Sequence, residues 1–494
     1  MLTTWIAFSV YVGFALALGW LAHRRRDRGA AFWTAGRELS AASVGLSISA
    51  GFLSISWSCV YAVQLFYWYG VGALWLITIP WLLALAGIYV LAQRYHDLPS
   101  FSQPEMVGQR FGAPAKRIVA LALFVVFLVW GGAEIYVAAN LLGPAMGVST
   151  ATMIVIIATV VGIYSTMGGF RAVVSTDKLQ YAVVVAYILA MAWLAWIGLR
   201  GVGTASLAGG ATVEGNPALG ALAGRLGAKS GLPWSNLLAP GLAVIVLTFA
   251  AYLPGWLFET DLWLRVQAAR DRGAARRGVL IAMANAALFV GVLPLFIGVA
   301  ALAVFPADGG FPARLGNEGD AIFVALVQSY APAWLGIFVA VGLTAAAMST
   351  IDTCANVMAL SLAYDVLEVQ KRPSAERLSQ LATAGSMLLA AIFALNTESL
   401  WDIFYLSSGI LTTTVAFPVA AVFLPWATPA MVTASAAAGL AATVAFYFLE
   451  ARGVLAAVEP AWLAGSGLGY ILWGMAAAAA AAAIARVTGQ HAAT

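Results

Sequence analysis

Long apolar runs dominate this sequence and restrict what it can fold into. Only 9% of its residues are charged and 62% are hydrophobic, which is too little charge to solvate a globular domain. A helix needs roughly 20 apolar residues to cross a bilayer. Runs of that kind lie at approximately 3–22, 41–70, 71–93, 117–145, 149–167, 172–199, 236–262, 278–305, 334–363, 378–396, 399–424, 429–450 and 464–485. The sequence therefore predicts an all-α membrane protein with about 13 transmembrane helices, and 320–332 is expected to form a short external helix.

Basic residues are distributed unevenly between the predicted loops. With the N-terminus outside, the inner loops hold 20 of the 25 Lys and Arg residues. Because Lys and Arg concentrate in cytoplasmic loops, we expect a multi-pass protein of the plasma (inner) membrane with a cytoplasmic C-terminus. The net charge of +4 then reflects topology in the lipid bilayer, and it does not indicate nucleic-acid binding.

Catalytic and metal-binding spacings are not evident. The three histidines, His23, His96 and His491, fall in loops or the tail, and no nucleophile–base pattern accompanies them. Cys59 and Cys354 lie in apolar runs and are expected to be small buried hydrophobes. We therefore expect neither an enzyme nor an obligate protein partner.

Two spans carry signals for a break near the middle of the membrane. In the second span, Ser47–Ser56 concentrates small and hydroxyl residues, and the seventh span contains Pro254-Gly255. Proline removes a backbone donor and glycine permits unwinding. Each break alone would indicate a simple kink or packing notch. The breaks are five spans apart, which is typical of two five-helix inverted repeats.

Four motifs occur in order along the chain, namely FWTAGREL at 32–39, YSTMGGFRAVVSTDKLQ at 164–180, the loop after Thr260-Asp261, and TAAAMSTIDT at 344–353. They resemble the sodium/solute symporter family, which includes proline, sialic acid and sugar symporters. The resemblance implies a leucine-transporter-type five-plus-five inverted repeat with broken helices. The implied organisation is 1–40 as an extra helix and cytoplasmic loop, 41–199 as the first repeat, 200–235 as an external loop, 236–424 as the second repeat, and 425–494 as two C-terminal helices and tail.

The hydroxyl-rich stretch in the ninth span has one polar face. Ala346, Ser349, Thr350 and Thr353 are spaced i, i+3, i+4 and i+7, and such residues share one side of a helix. Hydroxyls there can simply bond their own preceding carbonyls. A broken helix nearby would supply free carbonyls, and neutral oxygens suit a monovalent cation better than a divalent one. By resemblance, sodium is held by backbone oxygens of Ala50, Leu53 and Ala346 and by the side chains of Ser349 and Thr350.

The solute site is expected at the two breaks. By resemblance, Phe52, Trp57, Tyr252 and Trp256 line it, although aromatic side chains in such a chain can equally pack in the core or against lipid. Phe52 stands where sugar and proline members carry a polar residue, so neither substrate carries over directly. Glu134 is a lone carboxylate inside the fourth span and is a candidate to contact a substrate amine or a proton. The alternative is that it accepts hydrogen bonds from a neighbouring helix. Glu259 and Asp261 are expected near water, in gating or loop anchoring.

By resemblance, a second cation site is expected further along the same stripe, between Asp177, Asp352 and Thr353. The alternative is that Asp352 caps a helix or pairs with a base such as Lys178.

Together these features favour a sodium-coupled secondary active symporter that imports a small organic solute by alternating access. A proton-coupled transporter of the same fold, in which Asp177, Asp352 or Glu134 titrates, is the first alternative. A transporter-like membrane sensor is the second, although no signalling module follows Arg486.

Overall fold

The computed structural model describes residues 2–24, 37–98, 100, 102–208, 217–308, 310–372, 374–397, 399–464 and 466–491. Within these ranges the chain is almost entirely helical, and its few β-bridges are isolated. The helices are α1 (Leu2–Arg24), α2 (Ala41–Phe52), α3 (Ala62–Tyr69), α4 (Thr78–His96), α5 (Gln103–Phe111), α6 (Ala113–Met146), α7 (Thr150–Ala208), α8 (Pro217–Leu222), α9 (Leu242–Trp256), α10 (Thr260–Gln267), α11 (Arg272–Ala286), α12 (Leu293–Val304), α13 (Ile322–Tyr330), α14 (Ala333–Ala359), α15 (Ala375–Ala394), α16 (Leu400–Ile410), α17 (Phe417–Ala421), α18 (Pro429–Ala451) and α19 (Gly469–His491).

Four π-helical turns continue or join these helices. They are Ile55–Tyr61 before α3, Ala287–Val292 between α11 and α12, Leu360–Val366 after α14, and Leu411–Ala416 between α16 and α17. Such turns are frequent at functional sites. Two of the four, before α3 and after α16, border the site described below.

The predicted spans all overlap helices, but the count of 13 is not confirmed. In the described ranges, nine helices are long and apolar enough to cross a membrane, and the bent pair of α2 with Ile55–Trp75 makes up to ten. Leu2–Ala17 and Thr150–Ile163 are shorter apolar helices. The predicted short helix at 320–332 appears as α13.

The predicted boundary between spans five and six is not a break in the backbone. We expected spans at 149–167 and 172–199, and the residues from Thr150 to Ala208 instead form one helix, α7. Most side chains around the expected boundary, at 164–175, lie outside the described residues. At about 1.5 Å per residue, the 59 residues of α7 exceed the thickness of a bilayer, so α7 cannot be one straight span.

The core is organised around α14. This helix packs against α6 and α7, while α2 packs against α7 and α11. The last two helices, α18 and α19, pack mainly on each other and are the least buried of the nine candidate spans in the described ranges. The broken helices therefore lie inside, and the C-terminal pair lies at the edge.

Close helix contacts depend on glycine. A Cβ on Gly298 of α12 would lie 2.7 Å from the Val63 carbonyl oxygen and 2.6 Å from Phe66 Cβ. A backbone carbonyl cannot rotate away as a flexible side chain can. Small residues at such contacts let membrane helices approach closely, and here they fix α12 against α3.

We expect Gly298→Ala to destabilise the protein by about 1–3 kcal/mol, the usual cost of overpacking. The measurement is the apparent melting temperature of purified protein in detergent. Gly336→Ala on α14 is the control, because no atom lies within 4 Å of its added Cβ and alanine favours a helix. Equal melting temperatures for the two variants would contradict the assigned contact.

Candidate functional site

The first helix break is made by Leu53 and Ser54, between α2 and the π-helical turn before α3. The two halves of this span meet at a bend of 65°. Leu53 still donates its N–H to the Ser49 carbonyl, and Ser54 is extended, with its hydroxyl accepting a hydrogen bond from Trp57 N–H. Serine is among the best residues for capping a new helix start. The break therefore lies within Ser47–Ser56, as the sequence predicts.

The hydroxyl face of α14 lies against this break. Ser349 Oγ donates to the carbonyl oxygens of Ala50 at 3.2 Å and Ala346 at 2.9 Å. Thr350 Oγ1 donates to the Gly51 carbonyl oxygen at 3.2 Å. Four of the five expected sodium ligands, Ala50, Ala346, Ser349 and Thr350, therefore lie at one contact between α2 and α14.

The oxygens gathered here fit a sodium ion chemically. They are neutral carbonyls and hydroxyls, and no group of three or more His, Cys, Asp or Glu residues suited to a metal occurs in the described ranges. Such a shell suits a weakly bound monovalent cation. Leu53, the fifth expected ligand, is fully buried in the break itself, three residues beyond Ala50.

The second break lies just beyond the residues expected to form it. Pro254 and Gly255 belong to the last turn of α9, and the chain leaves the helix at Leu257–Glu259 before α10 begins. A turn of tighter bonds ends α9, with Phe258 N–H donating to the Gly255 carbonyl at 3.0 Å. The break therefore lies about three residues further along the chain than Pro254-Gly255.

A threonine from the neighbouring span distorts α9 at the Pro-Gly pair. Thr412 Oγ1 donates to the Ala251 carbonyl at 2.6 Å and accepts from Gly255 N–H at 2.9 Å. Those two backbone groups would bond each other in a regular helix. A Cβ at position 255 would lie 2.8 Å from this hydroxyl, so glycine admits it.

A cavity lies between the two breaks. It encloses about 460 Å³ of space including its opening. Four of the five expected solute residues line it, namely Phe52, Trp57, Glu134 and Trp256. The remaining lining residues are Gly51, Ser54, Trp81, Trp130, Glu259, Thr350, Phe404 and Ser408.

The aromatic walls of the cavity are packed edge to face. The ring of Trp57 lies 5.1 Å from that of Trp256 and 4.9 Å from that of Phe404 between centroids. Tyr252, the other expected solute residue, stacks on Trp256 at 4.2 Å and is fully buried behind it. Tyr252 therefore supports the wall and does not line the cavity.

Glu134 reaches the cavity from α6. Its two carboxyl oxygens accept from Ser56 N–H at 3.3 Å each, and Ser56 Oγ also donates to it. The side chain is 2% exposed. In the described part of the chain, the ion pairs of buried carboxylates involve Asp177, Asp261 and Asp365 and not Glu134.

A buried arginine organises the region of the expected second cation site. The Arg265 guanidinium of α10 donates to Thr353 Oγ1 at 2.9 Å and to Ser47 Oγ at 2.8 Å, and lies 3.4 Å from Asp177 and 3.2 Å from Asp261. Ser47 in turn donates to Asp177. A protein cation thus contacts Asp177 and Thr353, while Asp352 is fully buried on α14.

Sequence reasoning missed several of these residues. Arg265 was expected in a loop after the seventh span, and it is 1% exposed. Glu259 and Asp261 were expected near water, and both are buried. The signal for Arg265 was the acid at Asp261, four residues earlier on the same helix, because such pairs face each other.

We expect Arg265→Met to destabilise the protein by about 3–5 kcal/mol, because it leaves Asp177 and Asp261 as buried charges without their partner. Adding Asp177→Asn to this variant should recover part of the loss. Both effects are measured as detergent melting temperatures, with Arg270→Met as the control, since Arg270 is 58% exposed in its ion pair and such pairs contribute little. A double variant no more stable than Arg265→Met would contradict the pairing.

Comparisons with known proteins point to one family of membrane proteins. The sequence profile of the sodium:solute symporter family matches residues 32–428. The sodium/proline symporter of Haemophilus influenzae is 23% identical over 400 residues, covering 79% of this chain and 76% of that protein. The human sodium/iodide cotransporter is 29% identical over 158 residues, which span 31% of this chain and only 24% of the human protein.

A solved structure described as a substrate-bound outward-open state of a Na⁺-coupled sialic acid symporter superposes with a TM-score of 0.72 at 16% identity, covering 98% of this chain and 97% of that chain. The expected fold class, an all-helical leucine-transporter-type membrane protein with broken helices, is thereby confirmed. The family consists of transporters and not enzymes, and it supports sodium as the coupled ion. The chain belongs to the sodium:solute symporter family.

Proposed function

We propose that this protein is a sodium-coupled symporter that imports a small organic solute by alternating access. The observation that carries the proposal is the contact between α14 and the first break, where Ser349 and Thr350 bond to the carbonyls of Ala50 and Gly51. One of these bonded pairs also borders the cavity, since Gly51 and Thr350 both line it. An ion held here would therefore touch residues that also shape the solute site.

Because the proposed sodium site and the cavity share residues, the binding of sodium and the binding of solute must affect each other. Sodium at Ala50, Leu53, Ala346, Ser349 and Thr350 would fix α2 against α14 and hold Phe52 and Thr350 in place around the cavity. A solute that prefers this arrangement must then bind more tightly with sodium present. Thermodynamic linkage requires sodium to bind more tightly with solute by the same factor.

The membrane arrangement belongs to the same proposal. We place the N-terminus outside and the C-terminus in the cytoplasm of the plasma (inner) membrane, on the distribution of Lys and Arg. The five segments expected from the sequence, 1–40, 41–199, 200–235, 236–424 and 425–494, describe the two repeats and their flanking parts.

A proton-coupled transporter of this fold is the second candidate. The buried carboxylates Glu134, Asp177 and Asp352 favour it, because each is a group that could carry a proton. Binding of radioactive sodium to purified protein at several pH values, with potassium as the replacement ion, separates the two candidates. Sodium binding that is absent at every pH would favour the proton-coupled alternative.

We expect Ser349→Ala/Thr350→Ala to weaken sodium binding by about tenfold or more, which corresponds to at least about 1.4 kcal/mol. The double variant removes two oxygen ligands and should still fold, because alanine suits a helix. The measurement is equilibrium binding of radioactive sodium to the purified protein.

Thr344→Ala is the matched control for this pair. Thr344 is buried on the same helix and bonds its own Ala340 carbonyl at 2.7 Å, so its loss should leave sodium affinity unchanged. Unaltered sodium affinity in the double variant would remove Ser349 and Thr350 from the site.

The second cation site at Asp177, Asp352 and Thr353 is tested separately. If a second sodium binds near Asp352, Asp352→Asn should lower the Hill coefficient of sodium binding toward 1. If Asp352 is instead structural, the variant should lower the melting temperature and keep the same sodium cooperativity. Because Arg265 already bonds to Thr353 and approaches Asp177, we propose that this protein cation fills the position and that one sodium accompanies each solute.

A further inference from the structure

The buried interior of this protein carries an excess of acid. In the described ranges, the buried charged side chains are six carboxylates and one guanidinium, namely Glu134, Asp177, Glu259, Asp261, Asp352, Asp365 and Arg265. Arg265 pairs with Asp177 and Asp261, and Lys116 lies 3.9 Å from Asp365. Arg265 and Lys116 thus pair with three of the six buried carboxylates, so acids outnumber the basic side chains that face them.

Two of these acids line the cavity. Glu134 is 2% exposed and Glu259 is 8% exposed, and both belong to the lining. Ser56 N–H lies 3.3 Å from each Glu134 oxygen and donates to them, and Ser56 Oγ also contacts this carboxyl group. The described residues that line the cavity include no Lys, Arg or His. Because charges in a low dielectric interact strongly, an anionic solute would be repelled here.

The other walls of the cavity are aromatic faces turned in different directions. The ring planes of Trp57 and Trp256 meet at 89°, those of Trp81 and Trp256 at 87°, and those of Trp57 and Phe404 at 73°. Trp130 is fixed by its indole N–H, which donates to Ser407 Oγ at 2.6 Å. Tryptophan faces attract organic cations through the ring quadrupole, and quaternary ammonium groups are bound in aromatic cages of this kind.

We infer that the solute is a small organic cation, an amine or a quaternary ammonium compound, held between the aromatic walls with its charge toward Glu134. This inference rests on the proposed function, because it takes the cavity to be the solute site. It joins two observations, a cavity lining that holds two carboxylates and no described base, and aromatic walls around them. Sodium and a cationic solute would together offset part of the negative charge of the interior.

The test compares molecules of equal shape and different charge by isothermal titration calorimetry of the purified full chain in sodium buffer. The pairs are choline with 3,3-dimethylbutan-1-ol, cyclohexylammonium with cyclohexanol, and benzylammonium with benzyl alcohol. We expect at least one cation to bind, and to bind at least tenfold more tightly than its neutral partner. A neutral partner that binds as tightly as its cation would overturn the inference.

Glu134→Gln separates charge from shape at the carboxylate. The variant should lose at least tenfold in affinity for the cation that binds and keep the affinity for any neutral partner. Asp402→Asn is the matched control, because Asp402 is an exposed acid on α16, the helix that carries Phe404. If Glu134→Gln does not yield folded protein, the comparison of each cation with its neutral partner on the natural chain still tests the inference.

The outcomes also distinguish this inference from the proposed function. If radioactive sodium binds and none of the three cations does, the solute class is wrong and sodium coupling stands. If a cation binds with equal affinity in sodium and in potassium buffer, the solute class is supported and sodium coupling is contradicted.

Discussion

A backbone amide or carbonyl that leaves regular helical bonding inside a bilayer has no water to bond, so another protein group must satisfy it. Both breaks in this chain obey that constraint, mainly through hydroxyl side chains. At the first break, Ser54 accepts a hydrogen bond from Trp57 N–H and Glu134 accepts from Ser56 N–H, while Ser349 and Thr350 donate to the carbonyls that precede the break. Thr412 does the same for α9. The need to satisfy broken helices thus determines which helices lie beside them.

Two of these hydroxyls, those of Ser349 and Thr350, are also proposed to bind sodium. A hydroxyl that donates to a carbonyl can turn its oxygen toward an ion, and the carbonyl can bond the ion as well. Sodium then replaces hydrogen bonds that already exist, so the net free energy of sodium binding is modest. A modest gain suits a transporter, because an ion that binds too tightly at the midplane does not leave.

Much of the site could be predicted from the sequence because it depends on local signals. The break near Leu53 follows from hydroxyl and small residues in an apolar span, and the polar stripe on α14 follows from helical spacing. The burial of Arg265, the position of Thr412 and the roles of Trp81 and Trp130 could not be predicted, because they depend on which helices become neighbours. The position of the break after Pro254 also depends on a neighbouring span, since Thr412 bonds to the Ala251 carbonyl and to Gly255 N–H in the last turn of α9.

Arg265 carries a consequence for how the protein changes shape. Its guanidinium joins Ser47 of α2, Asp177 of α7 and Thr353 of α14 to its own helix, α10. The pair of this guanidinium with Asp177 is buried, and removing one partner of a buried ion pair leaves an uncompensated charge. A movement that draws α7 away from α10 at this point must therefore expose Asp177 to water or supply it with another cation.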